Sequence, residues 1–464
     1  MSALTPAHIE QFQQIIGEAN VLTNDEVLEK YASDATERLH FLPHVVLKPK
    51  TAQEISEILK ICNEHLIPVT PRGGGTGLSG GALAYKGGVL LSLERMNRII
   101  EIDERNLQVT VEPGVITEVL QNAVKQKGLF FPPDPASRGS CFIGGNIAHN
   151  SGGPKAVKYG VVKDYVLNLE VVLADSTIMW TGANVLKNVT GYNITQLFVG
   201  SEGTLGIVTK IVLKLIPHPK YDLAMLATFT SIEKACEAVS RIFQSGFTPS
   251  GLELMDIDSV KMAAAKTPVI LPVTNDLQAH LIIEVDGNNE ELLMQEMEQI
   301  AALLEHCGVK DVLLAHDATQ KEEVWKLRRR VAEIVKAEGH TIEEDTVVPR
   351  AELARLVKSV KALGVKHNFF AVCYGHAGDG NLHVRIKKEG ILNSWQNEEM
   401  RAILKELFTI VKNLGGTITA EHGVGLIQKE FVEVVYGPAH IQLLRGLKTV
   451  FDPNHILNPG KIFD

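Results

Sequence analysis

The stretch PRGGGTGLSGG, residues 71 to 81, follows a short apolar run, Ile67, Val69 and Thr70, that reads as a strand. Consecutive glycines let backbone N–H groups converge on phosphate oxygens without Cβ obstruction, so the loop is a candidate anion cradle. Within it, Gly75-Thr76-Gly77-Leu78-Ser79-Gly80 matches GxGxxG, and Glu94, 19 residues after Gly75, stands where a dinucleotide fold places its ribose acid. That fold requires a helix to start at the motif. Only Ala82 to Lys86 separate Gly81 from Gly87-Gly88 and the next apolar run, too few for one. The loop is therefore expected to bind phosphate outside a nicotinamide-type fold, with a purely structural glycine turn as the competing reading.

Working outward, PPDPASRGSCFIGGNIAHNSGGPKAVKYG (132–160) is a second small-residue segment, read as irregular backbone that comes close to something flat or polar. NVTGYNITQLFVGSEGTLGIVTKIVLKL (188–215) runs from turns into an apolar strand, and VLLSL, LQVTVEP and LNLEVVLA read as further short strands. Before them, TAQEISEILKICNEHL has a Thr51 cap and apolar Ile55, Ile58, Leu59 and Ile61 at near-helical spacing. After residue 217 come two strand–helix–strand blocks, which predict a sheet with helices on one face, a ferredoxin-like α+β domain. From Gly415 the Gly, His and Pro punctuation returns, and this tail is expected to pack back on the first domain. The reading is α+β, with domains 1–217, 218–414 and 415–464.

Lys plus Arg number 46 and Asp plus Glu 55, a net charge of −9, the wrong sign for a protein whose partner is nucleic acid. The five cysteines lie far apart, with no CxxC and no cluster-ligand run, which suits a reducing compartment. Residues 1–17 lack a basic then apolar leader, and no apolar run of membrane-spanning length occurs. The expectation is a cytoplasmic enzyme, peripheral to a membrane only through a partner.

The second chemistry-bearing constellation is His376-Ala377-Gly378-Asp379-Gly380-Asn381-Leu382-His383. On a continuous strand these histidines would face opposite sides, but Gly378-Asp379-Gly380 is a turn signal that can fold the segment back. Both imidazoles could then meet one metal ion, the alternative being two histidines with ordinary polar partners. Glu421-His422-Gly423 lies in another glycine-punctuated turn, and two His with one carboxylate suit Zn²⁺, Mn²⁺ or Fe²⁺. Adjacent residues in irregular backbone point apart, so Glu421 reads as the ligand and His422 as a base. An anionic substrate also needs a fixed cation, for which Trp325-Lys326-Leu327-Arg328-Arg329-Arg330 supplies candidates on a helix whose alternative role is a solvated basic face.

These segments resemble the flavoprotein family that includes vanillyl-alcohol oxidase, in its D-2-hydroxy-acid dehydrogenase branch. The resemblance runs from the strand before Pro71 to the terminal LNPGK. It implies a two-part FAD-binding domain with the inserted α+β domain as substrate domain. It implies FAD contacts from Arg72, Gly73, Gly74, Gly75, Thr76, Gly77, Ser79 and Gly80 at the pyrophosphate. Pro133, Asp134, Ser140, Gly144, Gly145, Asn150, Ser151 and Gly153 would run along the flavin, Glu202, Gly206 and Ile207 near the adenosine, and Asn458 would reach the isoalloxazine. His376, His383 and Glu421 would hold the metal, zinc first among the candidates, with His422 as catalytic base and Arg328 gripping the substrate carboxylate. FAD is expected to be noncovalent, because residues 72–81 hold no His or Cys of the tethering kind, although His149 stands in the second segment.

In the 2-hydroxyglutarate members a lysine downstream helps to hold the substrate. Glu343 stands at the corresponding position here, and Arg385 replaces a small polar residue two after His383. The expectation is therefore oxidation of D-lactate or glycolate, with hydride transfer to flavin N5; the alternative is D-2-hydroxyglutarate. Competing classes are a metal-dependent hydrolase and a flavin-binding electron-transfer or scaffold subunit. Without iron–sulphur cysteines, electrons are expected to leave to a quinone, an electron-transfer flavoprotein or an iron–sulphur subunit. A homodimer is the expected assembly.

Overall fold

The computed structural model describes residues 4–266, 273–315, 317–337, 341–390 and 397–463. The chain divides into two compact units, one formed by residues up to Gly152, Val161–His218 and Glu421 onward, the other by Gly153–Gly160 and Pro219–Ala420. The boundaries thus fall at 218/219 and 420/421, and the short segment 153–160 goes with the second unit.

In the first unit a four-stranded sheet runs in the order Val21–Leu22, Val45–Leu47, Val89–Ser92, Val69–Arg72. Val45–Leu47 and Val69–Arg72 are both parallel to Val89–Ser92. The unbroken apolar runs 45–47 and 89–91 are those of strands covered on both faces. The helix Ala52–Glu64 starts where the sequence indicates, with the Thr51 hydroxyl accepting from the Glu54 N–H at 3.1 Å. Its Ile55, Ile58, Leu59 and Cys62 pack with Phe12, Val45 and Leu47. A five-stranded antiparallel sheet follows, in the order Ile99–Asp103, Gln108–Val111, Ile207–Lys214, Val166–Val172, Ile178–Trp180. The tail closes on the first sheet: Ile456 and Leu457 enter its core, and the Asn458 N–H donates to the Val69 carbonyl at 2.7 Å.

Residues 132–160 are more regular than their composition indicates, with helices at Ile143–His149 and Ala156–Tyr159. Adjacent glycines disfavour a helix, but here tertiary contacts override propensity. Ile143 and Ile147 are buried four residues apart, and the Asn146 amide donates to the Thr117 hydroxyl at 2.6 Å. Asn150, in the left-handed region at φ 50°, terminates the turn.

The second unit is built on seven strands: Tyr221–Phe229 (β1), Gly251–Asp256 (β2), Ala279–Gly287 (β3), Val309–Leu314 (β4), Thr341–Val347 (β5), Phe370–Gly375 (β6) and Asn381–Lys387 (β7). The order is β4-β1-β3-β2-β6-β7-β5, every neighbouring pair antiparallel. The first four reproduce the order expected of two strand–helix–strand halves. The remaining three widen the sheet. One expectation is corrected: helices do not cover one face only. The run LIIEV in β3 is buried at every position, Glu284 included, so both faces must be covered. Helices Ile257–Lys266 and Ala318–Ala337 lie on the face of Leu226, Ile282, Met255 and Val372, contributing Val260, Leu327 and Val331 to one core. Among the described residues no helix is long and apolar enough to cross a membrane.

Register decides which side chains share that face. Directly paired residues of an antiparallel sheet point the same way, and the pairs Glu253↔Ile282, Met255↔Tyr374, Tyr374↔His383, Val372↔Arg385, Arg385↔Glu343 and His383↔Asp345 run across five strands. A row of polar groups therefore crosses the sheet beside the apolar core.

Candidate active site

In the first unit the glycine loop opens onto a cavity of about 510 Å³. Its walls include Arg72, Gly73, Gly74, Gly75, Thr76 and Gly77 on one side and Ser140, Gly144, Gly145 and Ser151 on the other, with Glu202, Gly206 and Ile207 completing it. Glu421 and His422 line the same cavity. The two small-residue segments come so close that a Cβ on Gly74 would stand 2.5 Å from the Ser140 carbonyl oxygen. Such a narrow, backbone-walled channel suits a diphosphate and a flat ring system, so the residues present fit FAD. Gly74→Ala should insert that Cβ into the wall and weaken FAD binding by roughly ten- to hundredfold, about 1–3 kcal/mol. Fluorescence titration of the apoprotein with FAD measures it, and an unchanged affinity would contradict the placement.

The other expected cofactor residues brace these walls rather than line them. Arg72 does both: its guanidinium donates to the carbonyls of Tyr31 and Ser33, at 3.3 and 2.8 Å, and is thereby a strut for the loop. Ser79 and Gly80 turn away; the Ser79 carbonyl accepts from the Leu426 N–H, and the Gly80 N–H donates to Thr36. Asp134 is held by Arg138, the Pro133 carbonyl accepts from Gln121, and the Asn150 side chain accepts from the Lys163 N–H. Gly153 belongs to the second unit. Asn458 spends its amide on the carbonyls of Gly81 and Glu202, at 2.9 and 2.7 Å, while its Oδ1 accepts from Lys461. Burial brings the Lys461 amine down to about 7, against the opposing pull of Glu202 and Asp34. Glu202 has a task the sequence did not suggest: its carboxylate accepts from the Val424 and Gly425 N–H groups, both at 2.8 Å, and so fixes the turn that carries Glu421 and His422.

In the second unit the turn after β6 folds His376 back toward His383 on β7, their ring centroids 5.7 Å apart. Gly380, at φ 88°, makes this possible; a Cβ there would collide with the Val348 carbonyl oxygen at 1.9 Å. Glu253, buried on β2, holds both neighbours: its Oε1 lies 2.6 Å from His376 Nδ1 and its Oε2 accepts from Arg328 Nε at 2.7 Å. Burial alone would raise this carboxyl, but His376 and Arg328 outweigh it and hold it at about 2, so Glu253 is an anion. Arg328 is 8% exposed and its guanidinium lies 5.1 Å from the Tyr374 ring centroid. Arg329 and Arg330 are exposed and paired with Glu322 and Glu333, a solvated face. His383 Nδ1 is 3.7 Å from Glu343 and 3.8 Å from Asp345. Arg385, 4% exposed, donates to the Tyr374 hydroxyl, Thr341 Oγ1 and Glu343. Glu253 steers His376 through one nitrogen, the usual state of a metal-ligating histidine, and the His383 ring lies beside it, so the pair fits a divalent metal. Glu253 and Tyr374 were illegible as site residues because they read as ordinary members of strands.

Comparison with known proteins agrees with this architecture. Residues 43–182 match the family described as "FAD binding domain" and residues 218–462 the "FAD linked oxidases, C-terminal domain". The chain is 41% identical over 458 residues to glycolate oxidase subunit GlcD of Bacillus subtilis, covering 98% of this chain and 96% of that one. It is 35% identical over 466 residues to the D-lactate dehydrogenase of Anaerostipes hadrus, covering 99% and 98%. In fold it resembles p-cresol methylhydroxylase, solved with substrate bound, at a TM-score of 0.80 and 20% identity, covering 100% of this chain and 98% of that one. With both family models matching and full-length relatives at 41% and 35% identity, the chain belongs to the FAD-linked oxidases and is an FAD-dependent oxidoreductase.

Proposed function

We propose that this enzyme oxidises a small D-2-hydroxy acid, D-lactate or glycolate, to the 2-oxo acid, using FAD, a divalent metal held by His376, His383 and Glu421, and His422 as base. The observation that carries the reading is Glu253. A 2-hydroxy acid presents its hydroxyl and carboxylate on adjacent carbons, so the groups that receive them must be held at a fixed separation. Glu253 fixes a candidate metal ligand with one oxygen and a buried guanidinium with the other. Among the described residues Arg328 makes no other hydrogen bond, which leaves its Nη groups for a substrate carboxylate.

The bound metal would make the substrate hydroxyl more acidic, and FAD when bound would accept the C2 hydride at N5. Arg328 would orient the carboxylate. His422, presented by the turn that Glu202 fixes, would take the hydroxyl proton. The relatives named glycolate oxidase subunit and D-lactate dehydrogenase support the substrate class. The five cysteines are all buried and unpaired, which supports a separate electron acceptor, a quinone, an electron-transfer flavoprotein or an iron–sulphur subunit.

The small monocarboxylate is favoured over 2-hydroxyglutarate because Arg385 is no receptor for a second carboxylate. Its donors are engaged by Tyr374, Thr341 and Glu343, and Glu343 adds a fixed anion beside His383. Wild-type enzyme should reduce its flavin with D-lactate or glycolate at a kcat/KM at least tenfold above that for D-2-hydroxyglutarate. Glu343→Gln should narrow that ratio roughly tenfold, the scale of one like-charge contact near a surface. Equal rates for mono- and dicarboxylates in wild type would overturn the assignment.

A further inference from the structure

His149 is the last residue of the helix Ile143–His149, and its side chain lines the glycine cavity. Its Nδ1 is buried without a hydrogen-bond partner, and among the described residues the ring makes no other hydrogen bond. A buried imidazole nitrogen left without a protein partner calls for an explanation. Its position supplies one. The glycine loop has two ends: Gly73 and Gly74 face Gly145 and Ser140, whereas a Cβ built on Gly77 or Gly81 would stand 3.6 or 3.4 Å from His149 Nε2. On its other edge, a Cβ on Gly423 would stand 2.7 Å from His149 Nδ1, so the ring abuts the residue that follows His422. Glu202, which faces Gly81 and Gly423 as His149 does, is already engaged by the Val424 and Gly425 N–H groups.

We infer that His149 is a cofactor-contacting residue that hydrogen-bonds the isoalloxazine end of FAD and favours its reduced form. This rests on the proposed reading in one respect: His422 as base marks the reacting end of the cavity. The ring carbonyls and nitrogens of a flavin gain electron density on two-electron reduction, so a donor aimed at them binds the reduced ring more tightly than the oxidised one. No bond to the ring is made or broken, and FAD stays noncovalent.

The test needs no substrate. FAD-loaded wild type, His149→Ala and His149→Asn are reduced by dithionite against a reference dye, and flavin content and visible spectrum are recorded beside the midpoint potential. Loss of the contact in His149→Ala should weaken binding of reduced relative to oxidised FAD about tenfold, lowering the potential by about 30 mV for a two-electron couple. His149→Asn, which keeps a donor, should recover most of the shift. An unchanged potential and spectrum in His149→Ala would overturn the inference, as would a shift that His149→Asn reproduces in full. Wild-type protein gives an arm independent of folding of the variants: with ¹⁵N-labelled histidine, FAD should move a ring resonance that ADP leaves in place. An equal response to both would put His149 at the pyrophosphate and refute the claim. Failure of every hydroxy acid to bleach the flavin would sink the proposed substrate reading while leaving these measurements intact.

Discussion

Arg328→Met is expected to lower kcat/KM for flavin reduction by roughly a hundredfold or more while bound FAD stays at wild-type level, because a buried charge would lose its fork partner. Most of the loss should fall on KM, since Arg328 orients the substrate carboxylate in ground and transition states alike. The structure adds a second consequence. Glu253 would keep His376 but lose its arginine, so thermal stability should fall as well, by a few kcal/mol at most. Arg328→Lys should not rescue the rate, because an ammonium cannot replace both a Glu253 contact and a two-pronged carboxylate contact. Rapid-mixing kinetics with a thermal melt on the same sample test both. If Arg328→Met is kinetically normal while Arg385→Met is not, the cation has been misassigned.

His422→Gln is expected to slow flavin reduction by about 10²–10⁴, the usual contribution of a positioned base, with metal and flavin contents unchanged. His383→Ala should have a similar kinetic effect by a different route, loss of the metal, and the protein should remain yellow and reducible by dithionite. Chelation should reproduce His383→Ala and not His422→Gln. Elemental analysis beside single-turnover reduction separates the cases. Full rates in a metal-free sample would show the His376, His383 and Glu421 set to be structural.

The parts of this site that were legible in sequence are those written in adjacent residues. PRGGGTGLSGG could not continue into a helix, and HAGDGNLH could only bring its histidines together through a turn; both follow from local chemistry. What could not be read is what acts across the sheet. Glu253 sits in LELMD, an ordinary strand pattern, and its partners Arg328 and His376 are 75 and 123 residues away. Glu202 was placed near the adenosine by resemblance, yet its carboxylate reaches residues more than two hundred positions on to hold the Val424 and Gly425 amides. Asn458 was expected at the isoalloxazine; that its amide ties two backbone carbonyls together was not legible. The helix Ile143–His149 was missed for the reverse reason: its glycines argue against a helix that contacts from Thr117 and Pro113 and the buried face of Ile143 and Ile147 sustain.

Whether this FAD-linked oxidase removes a hydride from a small D-2-hydroxy acid is decided by anaerobic mixing of the yellow protein with D-lactate, L-lactate and glycolate while the visible flavin absorbance is followed. Full bleaching by D-lactate or glycolate within the turnover time, and none by L-lactate, is the expected result. A flavin that stays oxidised with both D-lactate and glycolate, yet bleaches at once with dithionite, would contradict it.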